Sequence, residues 1–304
     1  MKKRKTLVIG GAGFIGCNTV GYFCELGDEV IVLDNLSRLG TQNNLEWLQE
    51  KYDIQFYRGD IRNLPDIERV FIDHPDIGVV IHLAAQTAVT FSVANPREDF
   101  EINALGTFNV MEAVRKMEVP PVVLYASTNK VYGGLDEVAV VEEEKRYSFR
   151  DFPKGISEGH PLDFHSPYGC SKGAADQYVR DYARIYGIRT IVFRQSCIYG
   201  YRQFGIEDQG WVAWFLAAVL SGEEIMVYGN GKQVRDVLFI DDLTRAYAEA
   251  LDRIDVTAGQ VYNIGGGEER SLSVWVEFNS LLSDLTGKSI HMRSGDWRPG
   301  DQKI

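Results

Sequence analysis

Short apolar runs alternate with amphipathic stretches over residues 5–194 of this chain. The apolar runs are rich in Val, Ile and Leu, which is typical of strands buried on both faces of a parallel sheet. We predict such strands at 6–10, 29–33, 54–57, 78–81, 122–126 and 189–193. We predict helices between them, at 14–26, 42–51, 64–73, 96–117 and 168–186. This alternation predicts an α/β fold, a doubly wound parallel sheet with right-handed crossovers.

The pattern changes after Arg194, where loops become longer and glycine-rich turns interrupt the chain. We therefore predict a first domain over residues 1–194 and a smaller C-terminal α/β substrate lobe over most of residues 195–304. Strands near 237–239 and 261–264 are expected to return to the sheet of the first domain. Because the sequence stops without a closing helix, we expect the lobe to lack its C-terminal end.

Composition and charge exclude several classes of partner. Of the 304 residues, 45% are hydrophobic and 25% are charged, as in ordinary globular proteins. The formal net charge of -11 argues against nucleic acid, because no basic field is available to neutralise phosphates. The longest apolar run, residues 211–220, is far shorter than the roughly 20 residues needed to cross a bilayer, so no membrane partner is expected.

The N-terminal segment and the cysteines indicate the cellular compartment of the protein. Residues 1–5 are basic, but the segment that follows is too glycine-rich for the apolar part of a signal peptide. The cysteines form no C-x-x-C pair, so we expect them to be reduced and to bind no metal. These features predict a cytoplasmic protein without a metal site.

A glycine-rich turn joins the first predicted strand to the first predicted helix, with glycine at Gly10, Gly13 and Gly16. In that context the first glycine lets the chain turn, and the second lets backbone approach a pyrophosphate. The third lets helix and strand pack closely. The pyrophosphate is expected at the helix N-terminus, near the backbone of Phe14 and Ile15. The turn therefore predicts a dinucleotide-binding domain of the Rossmann type.

The ends of the following strands indicate which dinucleotide is bound. Asp34 ends the second predicted strand, where a carboxylate accepts from the adenosine ribose and repels a 2′-phosphate. NAD is therefore favoured as the cofactor, although Arg38 lies near enough in sequence to keep NADP open. We predict His82 to be structural. Further cofactor-binding residues are predicted at Asn35, Asp60, Ile61, Leu83, Ala84, Ala85 and Asn103.

Tyr168 and Lys172 lie four residues apart, on one face of a predicted helix. A lysine ammonium there would stabilise the phenolate and lower the tyrosine pKa from about 10, so that the phenolate can take a proton from a sugar hydroxyl. Thr128 follows the fifth predicted strand and is expected to share this proton transfer, with Ser127 as the alternative hydroxyl. Tyr168 and Lys172 are also expected to contact the cofactor. Asn103 either orients the lysine through water or is an ordinary helix residue.

A glycine turn, then a hydroxyl, then Tyr-x-x-x-Lys is an order that resembles the extended short-chain dehydrogenase/reductases. Their sugar-nucleotide 4,6-dehydratases carry an Asp-Glu pair directly after the hydroxyl, to remove a carbon-bound proton and expel a hydroxyl group. This chain has Asn129 and Lys130 there, so elimination is unsupported and an epimerase is favoured. Arg235 and Arg298 are expected to hold a nucleotide diphosphate, because a guanidinium binds phosphate through two parallel hydrogen bonds.

Longer segments resemble one family, the CDP-paratose 2-epimerases, also called CDP-tyvelose 2-epimerases. They are residues 127–133, 162–178, 202–204, 208–211 and 229–238. The resemblance implies a retained NAD and epimerisation at C2 of a CDP-sugar, in O-antigen biosynthesis. It implies that Thr128, Tyr168 and Lys172 are catalytic. Substrate-binding residues are expected at Ser127, Asn129, Arg202, Gln203, Arg235 and Arg298.

Two other functions remain open at this point. A UDP-sugar 4-epimerase would share the catalytic residues and differ in how the sugar is presented. A non-catalytic NAD-binding sensor would keep the fold, although it has no need of the proton path through Thr128, Tyr168 and Lys172. The nucleotide base and the sugar are not fixed by any residue. We expect the protein to form a homo-oligomer.

Overall fold

The central sheet of the computed structural model, which describes residues 4–298 and 301–304, has seven parallel strands. From one edge to the other they are β3 (Gln55–Arg58), β2 (Glu29–Asp34), β1 (Lys5–Ile9), β4 (Val79–His82), β5 (Val122–Thr128), β8 (Thr190–Gln195) and β12 (Gln260–Ile264). The order changes direction between β1 and β4, and at such a point a crevice opens beyond the carboxyl ends of the strands. The predicted doubly wound α/β fold is confirmed. Residues 1–3 of the basic start and 299–300 beside Arg298 lie outside the described residues.

Helices cover both faces of this sheet. One face is covered by α3 (Leu64–Asp73), α6 (Gly106–Arg115) and α7 (Ser166–Tyr186), and the other by α1 (Phe14–Glu25), α2 (Thr41–Lys51) and α9 (Ile240–Asp252). Successive strand residues point to opposite faces, so Leu7 and Ile9 join one core cluster while Val8 joins the other. Strands buried on both faces explain the continuous apolar runs in the sequence.

The helix predicted at 96–117 is a composite. It begins as α5 (Pro96–Phe100), widens into a π-helical turn (Glu101–Leu105) and continues as α6. A shorter helix, α4 (Val89–Ala94), precedes it, and α10 (Ile254–Thr257) follows α9. Single π-helical turns are frequent at functional sites, because the extra residue changes which side chains face the neighbouring element.

The C-terminal region has its own small apolar core. It is built mainly from α8 (Trp211–Ser221), β10 (Ile225–Tyr228) and α11 (Val276–Thr286), and β14 (Met292–Gly295) pairs with β10. Phe215, Trp275 and Phe278 lie at its centre, and their rings contact one another edge to face or tilted. Within the described residues, no helix is long and apolar enough to cross a membrane.

One predicted strand lies in a different sheet from the one expected. The strand at 261–264 does return to the central sheet, as β12 beside β8. The strand at 237–239 belongs instead to β11 (Val234–Phe239), which pairs with β9 (Cys197–Tyr199) and β13 (Ser271–Ser273). It does not lie beside β8, because β5 and β12 already pair with the two edges of β8. A further hairpin, β6 (Val140–Glu142) and β7 (Tyr147–Phe149), lies in the long segment before α7.

Candidate active site

The glycine turn forms a backbone cradle at the N-terminus of α1. Gly10 has φ 83°, and a Cβ there would lie 2.6 Å from the backbone nitrogen of Ala84. A Cβ on Gly16 would lie 2.0 Å from the carbonyl oxygen of Gly10, so only glycine fits. Gly13 is the N-cap of α1 and supplies no capping side chain. The first backbone N–H groups of this helix are therefore available to an anion such as a pyrophosphate.

Carboxylates at the ends of β2 and β3 border the same crevice. Asp34 accepts hydrogen bonds from the backbone nitrogens of Ala12 (3.0 Å) and Leu36 (2.8 Å), and burial raises its pKa. The Asn35 amide donates to Asp60 at 2.9 Å. Arg62 pairs with Asp60 at 2.7 Å and holds the pKa of that carboxyl at about 2. Asp34 and Asp60 thus lie at adjacent strand ends with Asn35 between them.

The other predicted cofactor residues surround this cradle. The backbone nitrogens of Leu83 and Ala84 both donate to the carbonyl of Ile9 at 2.9 Å, which binds the end of β4 to β1. Phe14 and Ile15 pack on the core below α1, and Ile61 is buried. A glycine cradle, free helix N–H groups and a carboxylate at the end of β2 fit the diphosphate and ribose of NAD.

Tyr168, Lys172 and Thr128 meet beside the carboxyl end of β5. Tyr168 and Lys172 lie on the buried face of α7, with 8% and 3% of their surface exposed. Thr128 ends β5, and its hydroxyl accepts from the backbone nitrogen of Lys130 at 3.2 Å. The Lys172 ammonium donates to the carbonyl of Ala126 at 2.6 Å and lies 4.4 Å from the ring centre of Tyr125. The spacing of four residues therefore predicted the shared face correctly.

The predicted effect of Lys172 on the tyrosine is wrong for this structure. Burial raises the pKa of Tyr168 to about 12, and a hydrogen bond with Thr128 only partly offsets this. Burial also lowers the pKa of Lys172 to about 7. The reason is geometric: the ammonium is directed at β5, and desolvation acts on both groups. The cation that does oppose the rise at Tyr168 is Arg38.

Arg38 is a site residue whose position the sequence did not indicate. It follows β2, and its guanidinium donates to Thr87 (3.2 Å) and to Gln209 (2.6 Å). It therefore joins the crevice to the segment before α8 and lies within electrostatic reach of Tyr168. The only sequence signal was an arginine close after Asp34, which we considered in relation to NADP.

Asn103 lies in the π-helical turn and belongs to a buried polar network. Its amide nitrogen donates to Gln86 (3.0 Å), to Asp99 (3.2 Å) and to Ser171 (3.1 Å), and its amide oxygen accepts from the backbone nitrogen of Gln86 at 2.9 Å. Ser171 also donates to Asp99 at 2.5 Å. The network supports α7 one residue before Lys172. Direct contacts of Asn103 in the described structure are therefore to protein groups that hold α7.

Ser127 and Thr128 point in different directions, as successive residues of a strand do. The Ser127 hydroxyl donates to Asp176 at 2.8 Å, and Asp176 pairs with Arg194 at 2.9 Å in an almost fully buried ion pair. Arg194 in turn donates to the hydroxyl of Tyr132 at 2.9 Å. The Ser127 hydroxyl thus bonds to the interior and Thr128 is the hydroxyl beside Tyr168, while the assignment of Ser127 as a substrate ligand stays a prediction.

Basic side chains gather where β11 passes the turn after β5. This cationic pocket consists of Lys130, Arg235 and Arg298. Lys130 donates to the side-chain oxygen of Gln302, and Arg235 donates to the backbone oxygen of the same residue at 3.0 Å. Burial and the nearby Arg235 lower the pKa of Lys130 to about 7. The sequence singled out Lys130 only because it stands where the 4,6-dehydratases carry a carboxylate, and it indicated no role for Gln302.

Of the other predicted substrate residues, Asn129 lies at the turn after β5, and Arg202 and Gln203 lie elsewhere. Asn129 is exposed at the start of the turn, and its side chain accepts from Thr128 at 3.4 Å. Arg202 is elsewhere: its guanidinium lies 4.0 Å from the ring centre of Trp47 on α2. Gln203 donates to the carbonyl of Ile198 at 3.2 Å. Arg202 thus joins the C-terminal region to α2 of the first domain, whereas Gln203 bonds within the C-terminal region, and their assignment as substrate ligands stays a prediction.

His82 is confirmed as structural. It is 1% exposed, its Nε2 lies 3.0 Å from the hydroxyl of Thr107, and burial lowers its pKa to about 3. Thr107 already donates to the carbonyl of Asn103, so His82 donates to Thr107 from Nε2. The imidazole is neutral near pH 7 and contributes a fixed hydrogen bond.

Known proteins with similar sequences and folds belong to one family of NAD-dependent enzymes. Residues 6–265 match the model of the NAD dependent epimerase/dehydratase family. The CDP-paratose 2-epimerase of Salmonella typhi is 45% identical over 306 residues, covering 99% of this chain and 90% of that protein. The NAD complex of Thermus thermophilus UDP-glucose 4-epimerase has a TM-score of 0.83 and 32% identity, covering 99% of this chain and 89% of that one.

The dTDP-glucose 4,6-dehydratase of Streptomyces venezuelae, solved with NAD bound, has a TM-score of 0.83 and 29% identity, with 98% and 86% of the two chains covered. These proteins act on different nucleotide sugars, and two of them were solved with NAD. The family match spans the glycine cradle, Tyr168 and Lys172. The chain belongs to the NAD dependent epimerase/dehydratase family.

Proposed function

We propose that this protein inverts the configuration at C2 of a CDP-sugar, converting CDP-paratose to CDP-tyvelose. The observation that carries the proposal is the site after β5: Thr128 beside Tyr168, followed by Asn129 and Lys130 where elimination would need a carboxylate pair. The similarity to the Salmonella typhi 2-epimerase over nearly the whole chain supports the choice of carbon and base.

NAD is the cofactor, as in the family to which the chain belongs. The chemistry that bound NAD supplies is reversible acceptance of a hydride from a sugar carbon. Gly10, Gly13 and Gly16 would hold its pyrophosphate, and Asp34 its adenosine ribose. Asp60 with Asn35 would border the adenine side, and Lys172 would bind the nicotinamide ribose.

The chain's own part in the reaction is proton transfer and positioning. Tyr168 takes the proton of the C2 hydroxyl and later gives it back, which makes it the general base and then the general acid. Thr128 hydrogen-bonds the same sugar oxygen and steadies Tyr168. Arg38 offsets part of the negative charge that forms at Tyr168, because burial alone would keep its pKa near 12. Arg235 and Arg298 hold the diphosphate while the sugar turns to present its other face.

Isotopic labelling tests this proposal directly. CDP-paratose deuterated at C2 should give a product that keeps its label, and reaction in heavy water should place no deuterium on carbon. The reason is that the C2 hydrogen leaves and returns as hydride and never exchanges with solvent. Solvent deuterium at any ring carbon would falsify the mechanism, because it would indicate deprotonation at carbon instead.

A second candidate function is a UDP-sugar 4-epimerase. The fold similarity to the Thermus thermophilus UDP-glucose 4-epimerase favours it, and the catalytic residues would be the same. The discriminating measurement is proton NMR of the products formed from CDP-paratose, CDP-glucose and UDP-glucose. Inversion at C4 with retention of label would keep the hydride mechanism and replace the C2 assignment.

We also propose that the protein forms a homodimer through α6 and α7. Phe108 and Tyr178 stack edge to face at 5.7 Å between these helices, and Tyr178 is 50% exposed. Phe100 on α5 and Ile185 and Tyr186 on α7 are further exposed apolar side chains. Exposed apolar surface often marks a protein interface. Light scattering should give twice the chain mass, and Tyr178→Glu should give the monomer.

A further inference from the structure

We infer that Lys130 is a substrate-binding residue that contacts the phosphate joined to the sugar, and that it acts together with Arg235. This inference rests on the proposed function, since it concerns how the same site holds its nucleotide sugar. It adds a third cation to the two arginines expected from the sequence. It also assigns a role to the position where related dehydratases carry a carboxylate.

Position is the first argument. Lys130 lies in the short 3₁₀ turn Asn129–Tyr132, which starts directly after Thr128 at the end of β5. The turn is fixed at its far end, because the hydroxyl of Tyr132 donates to Asn263 at 2.7 Å and accepts from Arg194. Lys130 is thus anchored two residues from the hydroxyl beside Tyr168.

Convergence is the second argument. Lys130 and Arg235 come from separate elements and donate to two oxygens of one residue, the side-chain and backbone oxygens of Gln302. Two cations directed at one point match the size and charge of a phosphate group, which accepts several hydrogen bonds at once. Gln302 would be displaced as the phosphate binds.

Incomplete charge compensation is the third argument. Arg298 has acidic partners, Asp208 at 3.6 Å and Asp301 at 3.4 Å. The hydrogen bonds that the described residues provide to Lys130 and Arg235 go to neutral oxygens of Val234 and Gln302. Placing two cations together away from water is costly unless an anion accompanies them. A phosphate supplies that anion.

Burial lowers the pKa of the Lys130 ammonium most; among the titratable groups around it, Arg235 and Arg298 lower that pKa, and Asp301 and Cys197 raise it. The net result is a pKa of about 7 before an anion binds. Binding an anion favours the charged lysine, so the affinity for phosphate should fall as the pH rises above 7. An arginine at this position would stay charged and would remove that dependence.

The test compares CDP with CMP, since only CDP carries the phosphate that is joined to the sugar in the substrate. Calorimetry should show that Lys130→Met weakens CDP binding about 10- to 100-fold, the worth of a charge-assisted contact, while CMP binding changes less than about threefold. Lys130→Arg should bind CDP with nearly constant affinity from pH 7 to 9, whereas the natural protein loses affinity. Lys116→Met, which removes a surface ion pair with Glu68, should bind both nucleotides normally.

Several outcomes would overturn the inference. Equal losses of CDP and CMP affinity, or no loss of either, would place Lys130 away from that phosphate. A pH dependence that persists in Lys130→Arg and disappears in Cys197→Ser would assign the titration to the thiol. NAD content and melting temperature report whether each variant is folded. The same comparison with UDP and UMP separates the two proposals: preference for UDP refutes the CDP assignment and still tests Lys130.

Discussion

Lys172, which is buried, and Lys130, which is partly buried, both lie near Thr128, and their surroundings differ in kind. Burial lowers the pKa of both to about 7. Lys172 faces the carboxylates Asp176 and Asp99, which favour its charged form. Lys130 has Arg235 as its strongest electrostatic neighbour, which opposes its charge. The comparison indicates that the crevice around Lys172 is compensated by the protein alone, whereas the cationic pocket around Lys130 is completed by an anionic ligand.

The largest expected effect is on kcat, and it comes from a change in the crevice around Lys172. Tyr168→Phe should lower kcat by about 10²- to 10⁴-fold, because the variant lacks the positioned acid and base. NAD content and melting temperature should remain as in the natural protein, since the ring and its packing are kept. Steady-state kinetics with CDP-paratose and chromatography of the released dinucleotide measure both. Near-normal turnover would mean that the proton leaves by another route.

Removing the Asp176 carboxylate, which faces Lys172, should lower the free energy of unfolding of the protein. Asp176→Asn leaves Arg194 buried with no anionic partner, and breaking such a pair typically costs about 3–5 kcal/mol of unfolding free energy. Urea denaturation measures the loss. Asp242→Asn is the matched control, because its ion pair with Arg245 is half exposed and should contribute less than about 1 kcal/mol. Similar losses in the two variants would contradict a compensated interior.

On the uncompensated side, Arg235→Ala should act through KM. We expect KM for the nucleotide sugar to rise about 10- to 100-fold with kcat changed only slightly, because contacts to the diphosphate exist in both ground and transition states. The ligand-free protein should be as stable as before or slightly more so, because one uncompensated cation is gone. A fall in kcat with unchanged KM would place Arg235 in the chemical step instead.

Thr128 and Ser127 allow a sharper comparison between neighbours. Thr128→Ala should lower kcat about fivefold, since a neutral hydrogen bond is worth roughly 1 kcal/mol. Ser127→Ala should leave kcat nearly unchanged and reduce stability, because Ser127 donates to Asp176. Kinetics and denaturation of both variants separate the two roles. If Ser127→Ala were the slower enzyme, the assignment of the reacting hydroxyl would be reversed.

The smallest expected effect is a change in how steeply the free energy of unfolding depends on pH. A lysine with a folded pKa of about 7 and an unfolded pKa of about 10.4 binds fewer protons when folded between those values. Stability should therefore increase with pH above 7, and Lys130→Met should reduce that increase. Denaturation from pH 7 to 8.5 measures it, with Lys116→Met as the control. An unchanged slope would mean that Lys130 keeps its proton in the ligand-free protein.

Periodicity and spacing were sufficient for the sheet and for the shared face of Tyr168 and Lys172, because both follow from local backbone geometry. They did not predict the π-helical turn, since a single extra residue leaves the apolar pattern of the helix almost unchanged. They also did not place β11 correctly, because the choice between two sheets depends on which edge of β8 is already paired.

The electrostatics could not be predicted from the sequence for a related reason. The expected low pKa of Tyr168 assumed that Lys172 acts on it directly, but the direction of a long side chain depends on Ala126 and Tyr125 from another element. The sequence also did not indicate that Arg202 stacks on Trp47, which is distant in sequence. Such contacts between remote segments exist only once the chain is folded.

The turn Asn129–Tyr132 has a consequence for engineering new specificities. Val131 and Tyr132 are buried anchors, whereas Asn129 is exposed and Lys130 only partly buried. Replacing Asn129 and Lys130 therefore removes little packed surface, while it changes the charge presented near Tyr168. A library confined to these two positions should retain folded, NAD-containing protein in most members. Reaction outcome could then be selected almost independently of stability.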